Sequence, residues 1–214
     1  MITVKKFVCN PLQENTYVVS DDSRECVVID CGAFFDDERK AIVSYINTQQ
    51  LKPVRLLCTH GHFDHIFGCD TIFDAFGLQP EVHSDDAYLT DDVNAQVKQM
   101  LGADLQLQMP AVGHYLTDGE VIAFGHHQLK VLHTPGHTPG GVVFYCEQER
   151  TAFSGDTLFR MSIGRTDFEK GSYEQIIDSL HNVIAKLPAD TTVYTGHGPL
   201  TVVGEEVAMS PYFR

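Results

Sequence analysis

Residues 56–68, LLCTHGHFDHIFG, join an apolar run to three histidines and an aspartate. The apolar run is typical of a buried strand, and this strand would end at His60, His62, Asp64 and His65. Side chains two residues apart point the same way on an extended segment, and the last two residues follow where the chain can turn into a helix. Ligand crevices of α/β sheets usually lie beyond the carboxyl ends of the strands. The segment therefore predicts that these four side chains converge.

The residue types in this motif predict a metal site. Imidazole and carboxylate together suit zinc, iron or manganese, whereas magnesium and calcium prefer oxygen ligands. We expect zinc, with iron and manganese as the alternatives. The competing interpretation is a polar loop whose histidines cluster by chance, and for this composition the pattern would arise by chance in roughly two chains in a thousand.

Three later stretches could complete such a site. Each places a ligand-type residue beside glycine, at or near the end of an apolar strand: His137 in VLHTPGHTPGG (131–141), Asp156 in AFSGDTLF (152–159) and His197 in VYTGHGP (193–199). Glycine allows the backbone to approach a metal closely. Each stretch alone is more typical of an ordinary turn, so the recurrence of the layout is what favours further ligands.

Composition limits the function classes. The formal charge of −14 over 214 residues opposes binding to nucleic acid phosphates, so we expect no nucleic acid partner. No apolar run approaches the roughly 18 residues of a membrane span, and the N-terminal residues do not resemble a secretory signal. We therefore expect a cytoplasmic protein without a membrane partner. Its six scattered cysteines lack a CxxC pair and predict reduced, buried thiols, with Cys58 and Cys69 in the core.

The segment pattern predicts a mixed fold in one domain over residues 1–214. Strand-like runs alternate with helical ones in the first half, and turn-separated strands begin the second half. Helices are predicted over residues 36–51, 66–77, 85–102 and 172–187, with a short tail after a strand at 191–196. Two halves that each mix strands with covering helices indicate two packed sheets with helices outside, an α/β sandwich.

The motifs in order resemble those of the metallo-β-lactamase-fold hydrolases over nearly the whole chain. These motifs are H-x-H-x-D-H, a distant His in TPGHTPG, Asp in SGDTLF and His in GHGP. The resemblance implies a four-layer αββα sandwich that binds two divalent metal ions. It implies that the first ion is held by His60, His62 and His137, the second by Asp64, His65 and His197, and that Asp156 bridges them. Asp30, in VVIDCG, would orient the histidine loop from behind the ligands.

Within this family the chain is similar to glyoxalase II and its short relatives. Asp64 followed by His65, and Asp instead of Cys at position 156, differ from the lactamases that use a Cys ligand. The similarity continues through GDTLFRMSIGRTDFEKGSYEQ (155–175), where Arg165 is a candidate anchor for a substrate carboxylate. A surface ion pair of Arg165 with Asp167 or Glu169 is equally consistent with the sequence. Phe159, Met161 and Tyr173 are candidates that either line the pocket or pack beneath it.

The resemblance implies hydrolysis of an acyl thioester such as S-lactoylglutathione. Hydroxide from a water that bridges the two ions would attack the carbonyl, with Asp30, Asp64 and Asp156 as the carboxylates that serve catalysis. Glyoxalase II continues into a helical domain that helps to bind glutathione, whereas this sequence ends seventeen residues after His197, so the thiol carrier stays open.

Other functions remain open. A persulfide dioxygenase with a single iron resembles the same family and would keep the same motif. A lactonase or other ester hydrolase, a ribonuclease Z-like nuclease and a non-catalytic metal-binding protein are the further alternatives, and the acidic charge disfavours the nuclease. The sequence does not indicate the oligomeric state.

Three further histidines outside these motifs carry expectations. His126 and His127 lie between two predicted strands and are expected to be exposed hairpin residues. His133 precedes the TPGH motif, so it could orient that loop, although a lone histidine is more often structural or solvated.

Overall fold

A computed structural model describes residues 1–214, which form two six-stranded sheets and a two-stranded hairpin. The first sheet contains β1 (Thr3–Cys9), β2 (Glu14–Ser20), β3 (Glu25–Ile29), β4 (Lys52–Leu57), β5 (Pro80–His83) and β6 (His114–Leu116), in that spatial order. Its first three strands are antiparallel, and β3 to β6 are parallel.

The second sheet is built from the later strands of the chain. These strands are β7 (Val121–Phe124), β8 (His127–His133), β9 (Val142–Cys146), β10 (Thr151–Gly155), β11 (Leu158–Phe159), β12 (Ser162–Ile163), β13 (Thr192–Thr195) and β14 (Thr201–Val202). The spatial order is β14-β13-β10-β9-β8-β7, and β11 pairs with β12 as a separate hairpin. The β10–β13 pair is parallel, so these two strands end at the same edge of the sheet.

Helices cover the outer faces of both sheets. They are α1 (Asp36–Thr48), α2 (Phe63–Ile66), α3 (Cys69–Phe76), α4 (Ala87–Asp91), α5 (Val93–Leu101), α6 (Tyr173–Asn182) and α7 (Val203–Met209). One apolar cluster joins the first sheet to helices α1, α3 and α5, and another joins the second sheet to helices α6 and α7. A third cluster lies between the sheets, so the predicted αββα sandwich is confirmed.

Strand β2 shows why the sequence produces these layers. All seven of its residues are buried, because helices cover one face of the sheet and the second sheet covers the other. Alternate side chains point to opposite faces, so Val18 packs under the helices whereas Tyr17 and Val19 pack between the sheets. The ring of Tyr17 meets that of Phe153 from the second sheet at a centroid distance of 5.4 Å.

Some predicted element boundaries were wrong. The helix expected over residues 85–102 is divided into a 3₁₀ turn (Ser84–Asp86), α4 and α5. It breaks at Asp92, whose side chain accepts a hydrogen bond from the N–H of Ala95 and so caps a new helix. The helix expected over residues 66–77 begins only at Cys69, after the separate turn of α2.

The chain after β13 is also more ordered than predicted. The helix expected over residues 172–187 ends at Asn182 and continues as a 3₁₀ turn, Ile184–Lys186. The expected tail contains β14, which pairs with β13, and α7, which buries Val203 against the second sheet.

The cysteines and one histidine have clear outcomes. All six cysteines are free and buried, as predicted. His126 is exposed as expected, but the prediction for His127 was wrong, because its side chain is buried between the carboxylates of Asp21 and Glu149. No helix has the length and apolar character that crossing a bilayer would require.

Candidate metal centre

The candidate ligands come from five segments that end at one edge of the sandwich. His60 and His62 follow β4, and Asp64 and His65 lie on α2. The others are supplied by the second sheet: His137 by the β8–β9 loop, Asp156 by the residue after β10, and His197 by the loop after β13. Strand-end positions therefore bring residues far apart in sequence to one place, as the sequence predicts.

We call His60, His62 and His137 the histidine triad. One nitrogen of each ring lies within 4.8 Å of the corresponding atoms of the other two. Nδ1 of His62 lies 2.9 Å from Nε2 of His137. Nε2 of His60 is buried and has no hydrogen-bond partner. Buried nitrogens are normally satisfied, so these converging lone pairs indicate a site for a cation.

We call Asp64, His65 and His197 the mixed triad, and its donor atoms also lie within 4.8 Å of one another. Nε2 of His197 is 3.3 Å from Nε2 of His65 and 3.3 Å from Oδ2 of Asp64. Two nitrogens and a carboxylate oxygen are suitable donors for a second cation of the same class.

Asp156 lies between the two triads. Its Oδ1 is 3.4 Å from Nε2 of His65, and its Oδ2 is 3.5 Å from Nε2 of His137. Oδ1 is buried without a hydrogen-bond partner. A carboxylate that faces both triads with an unused oxygen is placed where the family resemblance implies a bridging ligand.

The outward nitrogens of three rings are held by hydrogen bonds. Nδ1 of His65 lies 3.0 Å from Oδ2 of Asp30, for which the family resemblance implies an orienting role. Nδ1 of His137 donates to the carbonyl oxygen of Arg165 at 2.6 Å, and Nδ1 of His197 donates to that of Leu12 at 3.0 Å. A hydrogen bond at Nδ1 turns Nε2 of each ring towards the centre, where Nε2 can bind a metal once it carries no proton.

The protonation states of the histidine triad suit metal binding. Burial, with the neighbouring His65, lowers the pKa of His60 well below its usual value. Burial and His137 lower the pKa of His62 to about 3. Both rings are therefore neutral at pH 7 and have a lone pair available for a metal.

The carboxylates are ionised. Burial alone would raise the pKa values of Asp64 and Asp156, but the neighbouring histidines, His65 foremost, together outweigh it and lower both. Burial likewise opposes protonation of His65, yet the carboxylates of Asp156, Asp64 and Asp30 raise its pKa well above the usual value. The proton on His65 thus balances the negative charge of these carboxylates, as a bound cation would. The donor set therefore fits the divalent metals that the sequence predicts.

Two buried carboxylates near the centre were not found from the sequence. Glu14 has no exposed surface, accepts a hydrogen bond from Thr16 and lies with Asp30 and His65 in a further cluster of possible donors. Asp86 is also fully buried, and burial raises its pKa. Neither carboxylate belongs to a histidine motif: Glu14 lies in a polar stretch between two predicted strands, and Asp86 lies in the acidic start of a predicted helix.

A cavity lies over the triads, and its lining shows which of the predicted substrate residues reach the site. Its lining includes Leu12, Phe159 and Phe168 as well as His62, Asp64 and His197. Phe168, which the sequence analysis missed, packs edge-on against His62 at a centroid distance of 5.1 Å. Phe159 lines the cavity, whereas Tyr173 does not and is 59% exposed at the start of α6. The structure therefore does not bring Tyr173 to the site.

Arg165 lines this cavity but already has partners. Its guanidinium donates to both carboxylate oxygens of Asp167 at 2.9 and 2.8 Å and lies 4.4 Å from the centre of the Phe168 ring. The surface ion pair that the sequence left open is thus present. His133 donates from Nε2 to the carbonyl oxygen of Pro139, so it contacts the loop of His137.

The fold and the two triads define a metal-binding sandwich of the hydrolase type. The chain belongs to the metallo-β-lactamase superfamily, which it matches over residues 9–197. It is 34% identical to the probable metallo-hydrolase YqgX of Bacillus subtilis, covering 98% of this chain and 97% of that protein. It is 30% identical to the hydroxyacylglutathione hydrolase GloC of Haemophilus influenzae, covering 94% and 93%.

Solved structures agree with this assignment. The structure of the B3 metallo-β-lactamase BLEG-1 is 37% identical with a TM-score of 0.89, and 99% of each chain is covered. The structure of TTHA1623 in a di-iron-bound form is 34% identical with a TM-score of 0.85, covering 98% of this chain and all of that one. The family and its named members support a metal-dependent hydrolase.

Proposed function

We propose that this protein hydrolyses acyl thioesters such as S-lactoylglutathione with two divalent metal ions, zinc being the expected metal and iron or manganese the alternatives. The observation that carries the proposal is the carboxylate of Asp156, which faces both triads at once. Two donor sets joined by a carboxylate suit a pair of cations better than a single one. The named hydrolase GloC, matched over nearly its whole length, supports the thioester class.

The protein's own residues would prepare and orient this chemistry. Bound divalent ions would supply Lewis acidity, by lowering the pKa of a water and polarising the thioester carbonyl. Hydrogen bonds to Asp30 and to the carbonyl oxygens of Arg165 and Leu12 hold three imidazole rings in place. A thiolate, whose conjugate acid has a pKa of about 8.5, leaves without a dedicated general acid.

The cavity walls would position the organic part of the substrate. Phe159 and Phe168 offer apolar surface in the lining of the cavity. Arg165 would bind a substrate carboxylate if the substrate replaced Asp167 as the partner of its guanidinium. A substrate could displace Asp167 at little energetic cost, because Arg165 and Asp167 are both 67% exposed and exposed ion pairs are weak.

Metal analysis of purified protein followed by a hydrolysis screen tests the proposal. The screen covers S-lactoylglutathione, other acyl thioesters, lactones and a β-lactam, the last because of the similarity to BLEG-1. We expect two ions per chain and one thioester preferred by orders of magnitude. Asp156→Ala should lose at least about a hundredfold in kcat/KM, since even groups behind metal ligands contribute 10–100-fold. Asp37→Ala, on the exposed start of α1, is the matched control.

Other outcomes would replace this function with a specific alternative. One iron per chain with oxygen consumption on glutathione persulfide would identify a dioxygenase. A preference for the β-lactam or a lactone would move the activity to that class. Bound metal without hydrolysis of any substrate in the screen, and with Asp156→Ala unchanged from the wild type, would indicate a binding protein.

A further inference from the structure

A buried aspartate outside both triads joins the two loops that supply the histidine triad. Asp86 is the last residue of the 3₁₀ turn after β5, and none of its surface is exposed. Its Oδ2 accepts hydrogen bonds from the N–H of Gly61 at 2.9 Å and from Oγ1 of Thr138 at 2.8 Å. Its Oδ1 accepts a hydrogen bond from the N–H of Gly140 at 2.7 Å. One carboxylate therefore binds three donors on two loops.

These donors are close neighbours of the triad in sequence. Gly61 lies between His60 and His62, and Thr138 is the residue after His137. The spacing between the two loops consequently affects the distance between Nδ1 of His62 and Nε2 of His137, which is 2.9 Å. The loops belong to different sheets, and the carboxylate of Asp86 joins them through three hydrogen bonds.

We propose that Asp86 is a positioning residue that holds the histidine triad in shape for its metal ion, and that the mixed triad does not depend on it. The inference rests on the proposed metal binding. It adds that binding of the ion at the histidine triad can be weakened alone.

The fit around Asp86 is tight as well as polar. A Cβ built on Gly140 would lie 2.6 Å from Cγ of Asp86, so the loop is pressed against the carboxylate. One backbone hydrogen bond, from the N–H of Val142 to the carbonyl oxygen of Thr59 at 2.8 Å, joins the same two segments nearby. This bond would keep the strand ends together, and hence the fold, when the carboxylate is altered.

The mixed triad has different supports. His65 is held through Nδ1 by Asp30, and His197 through Nδ1 by the carbonyl oxygen of Leu12. Asp64 lies on α2, and its carbonyl oxygen accepts a hydrogen bond from the side chain of Asn10. None of these groups is bonded to Asp86, whose three partners all lie in the loops of the histidine triad.

Asparagine has the shape of Asp86 but the wrong hydrogen-bonding pattern. Its oxygen could accept from Gly61 and Thr138, but its NH₂ group would then face the N–H of Gly140. In the flipped orientation the NH₂ group would face the N–H of Gly61. Either way a buried peptide N–H loses its acceptor, which is the costly outcome for a buried donor. Asp86→Asn should therefore displace one loop from the other with little change in packing volume.

Chelator competition on purified protein, with zinc alone as the probe, tests the inference. We expect Asp86→Asn to weaken binding of one ion by about 10–100-fold and to leave the other within twofold of the wild type. His62→Ala, which removes a ligand of the histidine triad, identifies the affected ion. When Asp86→Asn is added to His62→Ala, the affinity of the ion at the mixed triad should not fall further. Asp85→Asn, the exposed neighbour on the same turn, is the matched control and should bind both ions normally.

A second measurement does not depend on metal. In the metal-free protein, amide hydrogen exchange at Gly61 and Gly140 should accelerate at least about tenfold in Asp86→Asn, while exchange at Val142 stays slow. Thr138→Val removes only one of the three bonds, so it should show a smaller change in the same direction and serves if Asp86→Asn does not fold. Thioester hydrolysis is not used in either measurement, so failure of the proposed substrate is distinguished from failure of this inference.

Three results would overturn the inference. These are equal weakening of both ions, unchanged affinity for both, and unchanged exchange at Gly61 and Gly140 in the metal-free variant. If the wild type binds a single ion, the exchange experiment still decides the positioning role, and the proposed two-ion function fails separately.

Discussion

Oδ2 of Asp30 lies 3.0 Å from Nδ1 of His65, beneath the candidate metal centre. The same carboxylate accepts hydrogen bonds from the N–H and the hydroxyl of Thr59, each at 2.7 Å. Asp30 adopts a φ of 50°, in the left-handed region that aspartate and asparagine tolerate better than most residues. One buried side chain thus fixes a ring of the mixed triad and the start of the loop that carries His60.

Asp30→Asn should lower the affinity of the mixed triad for its metal ion by about 10–100-fold. Asparagine keeps the backbone conformation but loses the charge that stabilises the N–H of His65, and its amide cannot accept on both sides. Metal content per chain after dialysis against a weak chelator measures the change. Asp37→Asn, exposed on α1, should retain the wild-type content. Full retention of both ions by Asp30→Asn would show that Asp30 has no orienting role.

Gly196→Ala should damage the centre through steric contact. A Cβ at this position would lie 2.2 Å from Oδ1 of Asp156 and 2.8 Å from Cε1 of His65. The side chain of Asp156 would have to move away from its place between the triads, so we expect metal affinity to fall at least about tenfold, with a stability loss of about 1–3 kcal/mol. Calorimetric titration with zinc and thermal melting measure the two effects.

Gly198→Ala separates this contact from backbone strain. Gly198 has a φ of 74° and nothing within 4 Å of an added Cβ, so alanine there should cost about 1–2 kcal/mol from its conformation alone. Metal affinity should remain within a few-fold of the wild type. Equal losses of affinity in both variants would mean that disturbance of the His197 loop, and not contact with Asp156, causes the effect.

Phe168→Ala and Tyr173→Ala compare two aromatic residues from the same stretch of sequence. Phe168 lines the cavity and packs against His62, whereas Tyr173 is 59% exposed outside it. Removing an apolar wall should raise KM for a preferred thioester about tenfold in Phe168→Ala. Tyr173→Ala should change KM less than twofold. Steady-state kinetics on both variants would reject this cavity as the substrate site if the two effects were reversed.

The sequence motifs made much of the centre predictable, because the proposed ligands are His and Asp residues that follow strands, five of them beside glycine and two, Asp64 and His65, in the turn of α2. Such positions gather at one edge of an α/β sheet regardless of their separation in sequence. The layers were predictable for a related reason: β2 contains apolar residues at consecutive positions, which only a sheet covered on both faces can bury.

The supports of the centre were not predictable from the same signals. Glu14 lies in a polar stretch between two predicted strands and Asp86 in the acidic start of a predicted helix, and tertiary packing alone buries them. The break at Asp92 has a similar cause, since a capping side chain interrupted a helix whose apolar spacing continues. Tyr173 shows the reverse error. Its position near a motif predicts a pocket residue, but at the start of α6 its side chain is exposed to solvent.

The charge cluster around His127 predicts acid sensitivity of folding. Burial would raise the pKa of Asp21, but hydrogen bonds from Ser23, from the backbone N–H of His126 and from His127 outweigh it and lower that pKa below its ordinary value. A carboxylate with a lowered pKa in the folded protein stabilises it at pH values above the unfolded pKa of about 3.9. That stabilisation is lost as the pH falls below this value towards the pKa of the folded state.

Asp21→Asn should therefore lower the free energy of unfolding by about 2 kcal/mol above pH 5, the usual size for hydrogen bonds to a charged group. The difference from the wild type should shrink steadily below pH 4, because the wild type then loses the same stabilisation. Urea unfolding at several pH values measures it. Asp22→Asn, at a neighbouring side chain that is 83% exposed, should stay within about 0.5 kcal/mol of the wild type throughout. A difference for Asp21→Asn that is constant down to pH 2, or that grows with acid, would contradict the lowered pKa.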